Sequence, residues 1–236
     1  MVLLTMQNAE FLEKAWSENG PKVISGFSRP LYHNINGLLN GYKYDKKAYG
    51  GMLRHTEAGM LCKWASLLKP GQVIVEIGTY GGLSTSYLSA GAAKSGARVI
   101  GIDPFNSDLE KQAKLSDNCV PLEAKPTKEL VFQRLVENGF GDRVTLLEGY
   151  SQEVAAEWDG TKIDFLWIDG NHEQALKDYL DFKPFLNPGA RVAVHDAHPR
   201  YGYADVVRDV KEIFKNDAEW RDMEHVKSII SGLRTD

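Results

Sequence analysis

The sequence has little cysteine, no excess of basic residues and no long apolar run, and each shortage excludes a class of protein. Its two cysteines, Cys62 and Cys119, are too few for a disulfide framework or an all-cysteine metal site, and they fit a reducing compartment. Lys and Arg total 28 against 32 Asp and Glu. The resulting pI near 5.9 argues against a general nucleic-acid binder. No apolar stretch approaches the ~20 residues of a membrane helix.

The N-terminal residues also lack the basic region and apolar run of a signal peptide. We therefore expect a cytoplasmic protein with neither a membrane nor a nucleic acid among its partners. With 236 residues, 43% of them hydrophobic and 25% charged, the chain has an ordinary globular composition. It is long enough to bury a core without disulfides.

From residue 72 onward, short apolar runs alternate with longer amphipathic stretches. The runs predict strands over 73–77, 98–102, 143–149, 163–169 and 190–196. The stretches predict helices over 56–68, 83–94, 128–139, 151–158, 172–186 and 204–215. The tail from 220 predicts two short strands that form an edge hairpin. This order indicates an α/β, Rossmann-like fold: a seven-stranded, mostly parallel sheet with helices on both faces and an antiparallel C-terminal edge hairpin.

Two regions lie outside this alternation. Residues 1–55, rich in Gly, Asn and Tyr over 34–51, are predicted to form an N-terminal cap or substrate-binding extension to a main domain of residues 56–236. Residues 104–127 separate a predicted strand from its helix. Long connections of this kind are often lids or binding loops, so we predict a lid, with a solvated excursion as the alternative.

A glycine-rich turn follows the first predicted strand and opens a helix, with the sequence Glu76-Ile77-Gly78-Thr79-Tyr80-Gly81-Gly82-Leu83-Ser84. Glycines allow close backbone approach to a ligand, and a helix N-terminus attracts a carboxylate or phosphate. The spacing matches neither a dinucleotide site nor a P-loop. The acid at the strand end would repel a pyrophosphate but could accept hydrogen bonds from an ammonium or hydroxyls. S-adenosylmethionine (SAM) is a ligand of that kind; a turn needed only for packing is the alternative.

Polar residues also end the second and third predicted strands. Asp103 is placed to hold two ribose hydroxyls, as in SAM or NAD sites, and does not distinguish between them. Ser151 is predicted to adjoin an adenine or to cap the next helix, and the two roles are compatible.

Acids and histidines cluster after the fourth and fifth strands, which should be neighbours in the sheet. Asp169 and Asp196 could hold Mg²⁺, with His195 as a third ligand or as a buried strand-end residue. The cation would lower the pKa of a substrate hydroxyl, and His172, at the start of the next helix, could accept the proton. Alternatives are cofactor contact or capping for Asp169, and capping or substrate binding for His172. The role of His198 is left open.

These motifs resemble class I SAM-dependent methyltransferases, and most closely the macrocin-type small-molecule O-methyltransferases, a family 24-like group. The resemblance rests on VEIGTYGGLSTSYL (75–88), IGIDPF (100–105) and the stretch 164–198, with its IDGxH, L-x-P-G and terminal His-Asp elements. It covers roughly residues 56–232. Where several metal-dependent relatives carry two adjacent acidic or amide groups after the fifth strand, this chain has His195-Asp196.

The resemblance implies roles at matching positions. Glu76, Gly78, Gly82 and Ser84 would line the methionine part of SAM, together with Thr79, Tyr80 and Asp169; Asp103 would hold the ribose, and Ser151 would lie near the adenine. Asp169 and Asp196 match magnesium-binding positions, and His172 matches a catalytic base. Tyr201 and Tyr203 could line an acceptor pocket or form a packed turn.

We therefore predict an enzyme that methylates a hydroxyl of a small molecule, on a sugar or phenol of a natural product, with SAM, Mg²⁺ and a histidine base. A metal-independent N-methyltransferase, a nicotinamide-dependent oxidoreductase and a non-catalytic SAM-fold partner are the alternatives. The acceptor and the oligomeric state, including a homo-oligomer, are left open.

Overall fold

A seven-stranded sheet forms the centre of the computed structural model, which describes residues 7–17, 53–106, 126–201 and 203–235. Its strands are β1 (Val73–Ile77), β2 (Arg98–Asp103), β3 (Val144–Glu148), β4 (Ile163–Ile168), β5 (Leu186–Val194), β6 (Trp220–Val226) and β7 (Ile229–Arg234). The spatial order is β3-β2-β1-β4-β5-β7-β6. The first five strands pair in parallel, and β7 is antiparallel to both of its neighbours. The predicted fold class is confirmed.

Helices cover both faces of the sheet because both faces of its strands are apolar. They are α1 (Gln7–Ser17), α2 (His55–Ser66), α3 (Leu83–Ser95), α4 (Lys128–Glu137), α5 (Ser151–Ala156), α6 (Ala175–Phe182) and α7 (Ala204–Ile213). In β4, Phe165 and Trp167 pack in the core shared with α2, α3 and α4. Leu166 and Ile168 pack in the core shared with α1, α6 and α7.

Three predicted boundaries were wrong by more than two residues: both ends of one helix and the start of the strand that follows it. The predicted helix 172–186 is the shorter α6, followed by a 3₁₀ turn over Lys183–Phe185. Pro184 in that turn lacks the N–H that would continue the helical hydrogen bonding, so α6 ends before it although Lys183 still has right-handed helical backbone. The strand β5 then begins at Leu186, four residues earlier than predicted, and its register against β4 shifts before Arg191.

The N-terminal residues within the described ranges pack against the C-terminal half of the chain. The Asn8 backbone N–H donates to Asp217, and the Trp16 indole N–H donates to the Ala197 carbonyl, each at 2.9 Å. Most of the predicted cap (1–55) and of the predicted lid (104–127) lies outside the described residues. None of the helices in the described ranges is both long and apolar enough to cross a bilayer.

The α2 and α3 helices approach each other closely at Gly91. A Cβ atom at this position would lie 2.3 Å from the Cys62 carbonyl oxygen and 2.6 Å from the Ala65 Cβ. Only a glycine therefore fits this crossing without a shift of one helix, and that crossing sets where α2 lies on the sheet.

We predict that Gly91→Ala destabilises the protein by roughly 1–3 kcal/mol through overpacking. This change in stability is opposite to the one expected from helix propensity alone, since Ala in a helix interior is about 1 kcal/mol more stable than Gly. Urea unfolding measures the effect, with Ala93→Gly at an exposed position of the same helix as the control for helix propensity. An unchanged or higher free energy of unfolding in Gly91→Ala would contradict the close crossing.

Candidate active site

A cavity of about 550 Å³ opens at the carboxyl ends of the parallel strands. Ten of the twelve predicted site residues line it: Gly78, Thr79, Tyr80, Ser84, Asp103, Ser151, Asp169, His172, His195 and Asp196. The sheet brings them together because parallel strands end at one edge. Glu76 and Gly82 are not in its lining.

The turn after β1 lies directly against the turn after β4. Gly78 has φ +93°, and a Cβ atom there would lie 2.3 Å from the Asp169 carbonyl oxygen. The Asp169 N–H donates to the Ile77 carbonyl at 2.9 Å, which holds the two turns together. Gly82, with φ +87°, is the residue before α3 and shapes the turn from outside the cavity. Gly78 is therefore required for the position of Asp169 as well as for its own turn.

Asp103 fixes the backbone around one end of the cavity. Its Oδ2 accepts from the Tyr80 N–H at 2.8 Å, and its Oδ1 accepts from the Phe105 N–H at 2.7 Å. Both donors have φ +47°, an unusual backbone for residues other than glycine. Burial raises the pKa of Asp103, and these hydrogen bonds oppose the rise. Because a carboxylate has about four acceptor sites, Asp103 can still accept from a ligand.

The structure places Glu76 behind the turn instead of in the cavity. Side chains alternate along a strand, so Glu76 shares the face of Ile74, which α3 covers. Its Oε2 accepts from the Thr85 hydroxyl at 2.5 Å, and within the described residues its Oε1 has no hydrogen-bond partner. Burial raises the pKa of Glu76 to about 8, against the hydrogen bonds of Ser84 and Thr85. Glu76 is therefore mostly neutral near pH 7 and braces α3.

Ser151 contacts an acid that the sequence interpretation missed. Its hydroxyl donates to Asp178 Oδ1 at 2.5 Å, and Asp178 also lines the cavity. Burial raises the pKa of Asp178 to about 6, although the Ser151 hydrogen bond opposes this. The sequence feature that could have revealed Asp178 is its helical spacing with Ala175, Tyr179 and Phe182, which together form the buried face of α6.

His195 lies buried among three carboxylates. Its Nδ1 is 2.9 Å from Asp169 Oδ1 and 3.7 Å from Asp196 Oδ2, and its Nε2 is 3.8 Å from Glu57 Oε2. Burial lowers the pKa of His195, but the charges of Asp169 and Asp196 outweigh it and hold the pKa well above the ordinary value. The two carboxylates therefore favour the protonated form of the His195 ring.

Glu57, from the first turn of α2, was also missed. It is 1% exposed. Its Oε1 accepts from the Ser228 N–H and hydroxyl, and its Oε2 accepts from the Arg54 N–H. Burial disfavours its charge, but His195 and Ser228 outweigh burial and lower the pKa of Glu57. In the sequence it looks like an ordinary helix-capping glutamate, and its contact with β5 cannot be read there.

His172 lies beside Asp196 at the opposite end of the cavity from Asp103. Contrary to the prediction, it sits in the turn before α6 and not at the start of that helix. Its Nε2 is 3.2 Å from Asp196 Oδ2, and its ring stacks on Tyr203 with centroids 3.9 Å apart. Tyr203 lines the cavity, whereas Tyr201 and His198 do not. Burial opposes the charge of Asp196, but His195 and His172 outweigh burial and lower its pKa.

These residues do not fit the predicted magnesium site. A histidine ligand needs a ring lone pair directed at the cation, yet His195 directs Nδ1 at the Asp169 carboxylate, within hydrogen-bond distance. In the parts of the chain that the structure describes, no three His, Cys, Asp or Glu side chains are arranged to hold a metal ion.

Comparisons with known proteins agree with this architecture. A family model described as a methyltransferase domain matches residues 75–197, slightly more than half of the chain. A Mycobacterium sp. (strain JLS) protein with the provisional name O-methyltransferase is 26% identical over 141 residues. That alignment covers 59% of this chain and 54% of the relative, so the chain spans about half the length of the curated relative it matches.

Solved structures share the fold over nearly the whole chain. Cofactor-bound Rv0187 from MTB is 18% identical, with a TM-score of 0.59 over 97% of this chain and 96% of its own. The O-methyltransferase TomG from Streptomyces achromogenes, involved in tomaymycin synthesis and solved in complex with SAM, is 17% identical, with a TM-score of 0.57 over 89% and 91%. At such identities, the likeness is one of fold.

The neutral, buried Glu76 predicts a specific pH dependence of stability. The native state keeps its proton up to about pH 8, whereas the unfolded chain releases it near 4.5. This group's contribution is therefore fully present below 4.5 and falls as pH rises through that window, by up to about 1.4 kcal/mol per pH unit. Glu76→Gln should remove that fall.

Urea unfolding of both proteins from pH 5 to 8 measures it, as the difference in free energy of unfolding between wild type and Glu76→Gln. We expect the free energy of unfolding of the wild type, relative to that of Glu76→Gln, to fall steadily as pH rises. Glu129→Gln, at an exposed position of α4, is the control for removing one acid. A difference that stays constant across this range would show that Glu76 is ionised in the native state.

Proposed function

The chain belongs to the methyltransferase domain family, and from this premise we propose that it transfers a methyl group from SAM to a hydroxyl oxygen of a small molecule. The observation that carries the proposal is the continuity of the cavity. One end has the turn at Gly78 and the acceptor oxygens of Asp103, and the other has His172 beside Asp196. A methyl donor and a hydroxyl acceptor can therefore meet inside one continuous cavity. The SAM complex of TomG and the name of the Mycobacterium relative support this direction.

The residues at the Asp103 end suit the polar parts of SAM. Asp103 can accept from ribose hydroxyls, and the backbone N–H of Ser84, in the first turn of α3, can donate to a carboxylate at the helix N-terminus. Thr79 and Tyr80 contribute backbone from the same turn, while Ser151 and Asp178 line the side proposed for the adenine. When bound, SAM supplies an activated methyl group on a sulfonium.

The charges of the cavity suit a cationic cofactor. Asp169 and Asp196 line the cavity, and Glu57 lies behind His195. The pKa values of Glu57 and Asp196 are lowered, whereas burial raises the pKa of Asp169, so His195 neutralises only part of the negative charge here. The remaining negative charge favours the ammonium and the sulfonium of SAM. Asp169 is the nearest candidate for these charges because it lines the cavity next to Gly78.

His172 is the proposed base. Its Nε2–H donates to Asp196, so a neutral ring keeps its lone pair on Nδ1, which can accept the acceptor's hydroxyl proton. Asp196 then stabilises the imidazolium that forms, and stacking on Tyr203 holds the ring plane. The oxygen attacks the methyl group in line with the sulfonium, so correct positioning contributes much of the rate. Sugars and phenols remain the acceptor classes we propose, and no step of this mechanism uses a magnesium ion.

We predict that Asp103→Asn weakens the binding of S-adenosylhomocysteine by roughly 10- to 100-fold, because it loses a charged hydrogen-bond acceptor. Isothermal titration calorimetry measures the affinity, and Asp142→Asn, an exposed acid, is the control. Thermal melting confirms that both variants fold. Binding of NADH in place of S-adenosylhomocysteine would instead support an oxidoreductase.

We predict that His172→Asn lowers kcat by 10²–10⁴ through loss of the general base and leaves the affinity for S-adenosylhomocysteine within a few-fold. The assay follows S-adenosylhomocysteine release over a panel of sugars, phenols and matched amines. Glu173→Gln, at the exposed next position, is the control. Turnover confined to amines, together with an unimpaired His172→Asn, would contradict the hydroxyl proposal and favour N-methylation.

A further inference from the structure

Glu57 is a buried acid that lies 18 positions before the family match begins at residue 75. Three donors hold its carboxylate: the Arg54 N–H at 2.8 Å, and the Ser228 N–H and hydroxyl at 2.9 and 2.6 Å. These donors come from the start of α2 and from the turn between β6 and β7. The carboxylate is thus fixed in place on the side of His195 away from Asp169.

His195 connects this carboxylate to the cavity. Its Nε2 lies 3.8 Å from Glu57, and its Nδ1 lies 2.9 Å from Asp169 and 3.7 Å from Asp196. The Trp167 ring packs at 5.5 Å between centroids, and His195 is only 6% exposed. Ionised carboxylates this close together are costly to remove from water without a positive charge among them, and the His195 ring lies within 4 Å of all three.

We propose that the Glu57–His195–Asp169 chain does the work that a divalent cation was expected to do. His195 neutralises and orients Asp169 and Asp196. Glu57 acts as a positioning residue through its charge, since its carboxylate lies 3.8 Å from Nε2, an ion-pair distance and not a hydrogen bond. This inference rests on the proposed function, since it concerns the same two acids.

The presence of the His195 ring in place of a divalent cation has a consequence for the methyl acceptor. A divalent cation can bind two adjacent substrate oxygens, whereas a ring N–H directed at Asp169 offers neither a vacant coordination position nor a second charge. An acceptor bound here contacts His172 and Tyr203 instead. The enzyme should therefore accept molecules with a single isolated hydroxyl as readily as those with vicinal hydroxyls.

Metal binding tests the inference apart from catalysis. Mn²⁺ is titrated into the wild-type protein saturated with S-adenosylhomocysteine, and free Mn²⁺ is followed by electron paramagnetic resonance. We expect no stoichiometric binding up to millimolar Mn²⁺. Binding of one Mn²⁺ per chain that is lost in Asp169→Asn would overturn the inference.

Two further measurements sharpen the result. His195→Asp, which leaves Asp169 and Asp196 beside a third carboxylate, is expected to gain Mn²⁺ binding; should it not fold, the wild-type titration decides alone. Calorimetry on the same wild-type sample separates the two proposals. Absence of S-adenosylhomocysteine binding contradicts the proposed function, whereas bound S-adenosylhomocysteine together with bound Mn²⁺ contradicts only this inference.

The role of Glu57 has a spectroscopic readout. In protein labelled with ¹⁵N-histidine, the signals of the His195 ring are assigned by their loss in His195→Asn. We expect Glu57→Gln to shift these signals and to lower the methyl-transfer rate roughly tenfold or more, with Glu57→Asp restoring part of both. Glu224→Gln, a partly buried acid on β6, is the control. A Glu57→Gln variant that melts earlier but leaves the His195 signals unmoved would show that Glu57 only caps α2.

Discussion

Holding several ionised carboxylates together at one end of a parallel sheet requires a positive charge among them, and His195 is placed to supply it. The ring lies within 4 Å of Glu57, Asp169 and Asp196, which belong to α2 and to the ends of β4 and β5. Each of these acids has a second task. Asp169 faces the proposed cofactor, Asp196 holds His172, and Glu57 fixes the start of α2 through Arg54. The charge balance of the site is therefore inseparable from the packing of the helix outside it.

The packing that supports this balance depends on two close backbone approaches. Gly91 lets α2 cross α3 closely enough for α2 to lie where Glu57 reaches His195, and Gly78 lets the turns after β1 and β4 touch. A side chain at either position would separate elements that the site needs together. Three of the five non-glycine residues with positive φ in the described ranges, Tyr80, Phe105 and Asp196, lie at this edge of the sheet and add backbone strain there.

The sheet and most of its site could be predicted because both follow from local patterns. Alternating strands and helices imply parallel strands, and parallel strands bring Asp103, Asp169 and Asp196 to one edge. Glu76 belongs to the glycine-rich motif but does not line the cavity, because side-chain alternation along β1 turns it toward α3. Glu57 could not be predicted at all, since its contact joins residues more than one hundred positions apart. Whether His195 carries a proton or a metal depends on ring orientation, which residue identity does not specify.

The central claim is that one cavity joins a SAM site at Asp103 to a base at His172 without an intervening cation. A crystal structure grown with S-adenosylhomocysteine and Mg²⁺ tests it most directly. The account predicts ribose hydroxyls on Asp103, the sulfur directed toward His172, and the His195 ring still hydrogen-bonded to Asp169. A magnesium ion coordinated by Asp169 and Asp196, with His195 turned away, would contradict the cation-free site, and S-adenosylhomocysteine outside the cavity would contradict the whole account.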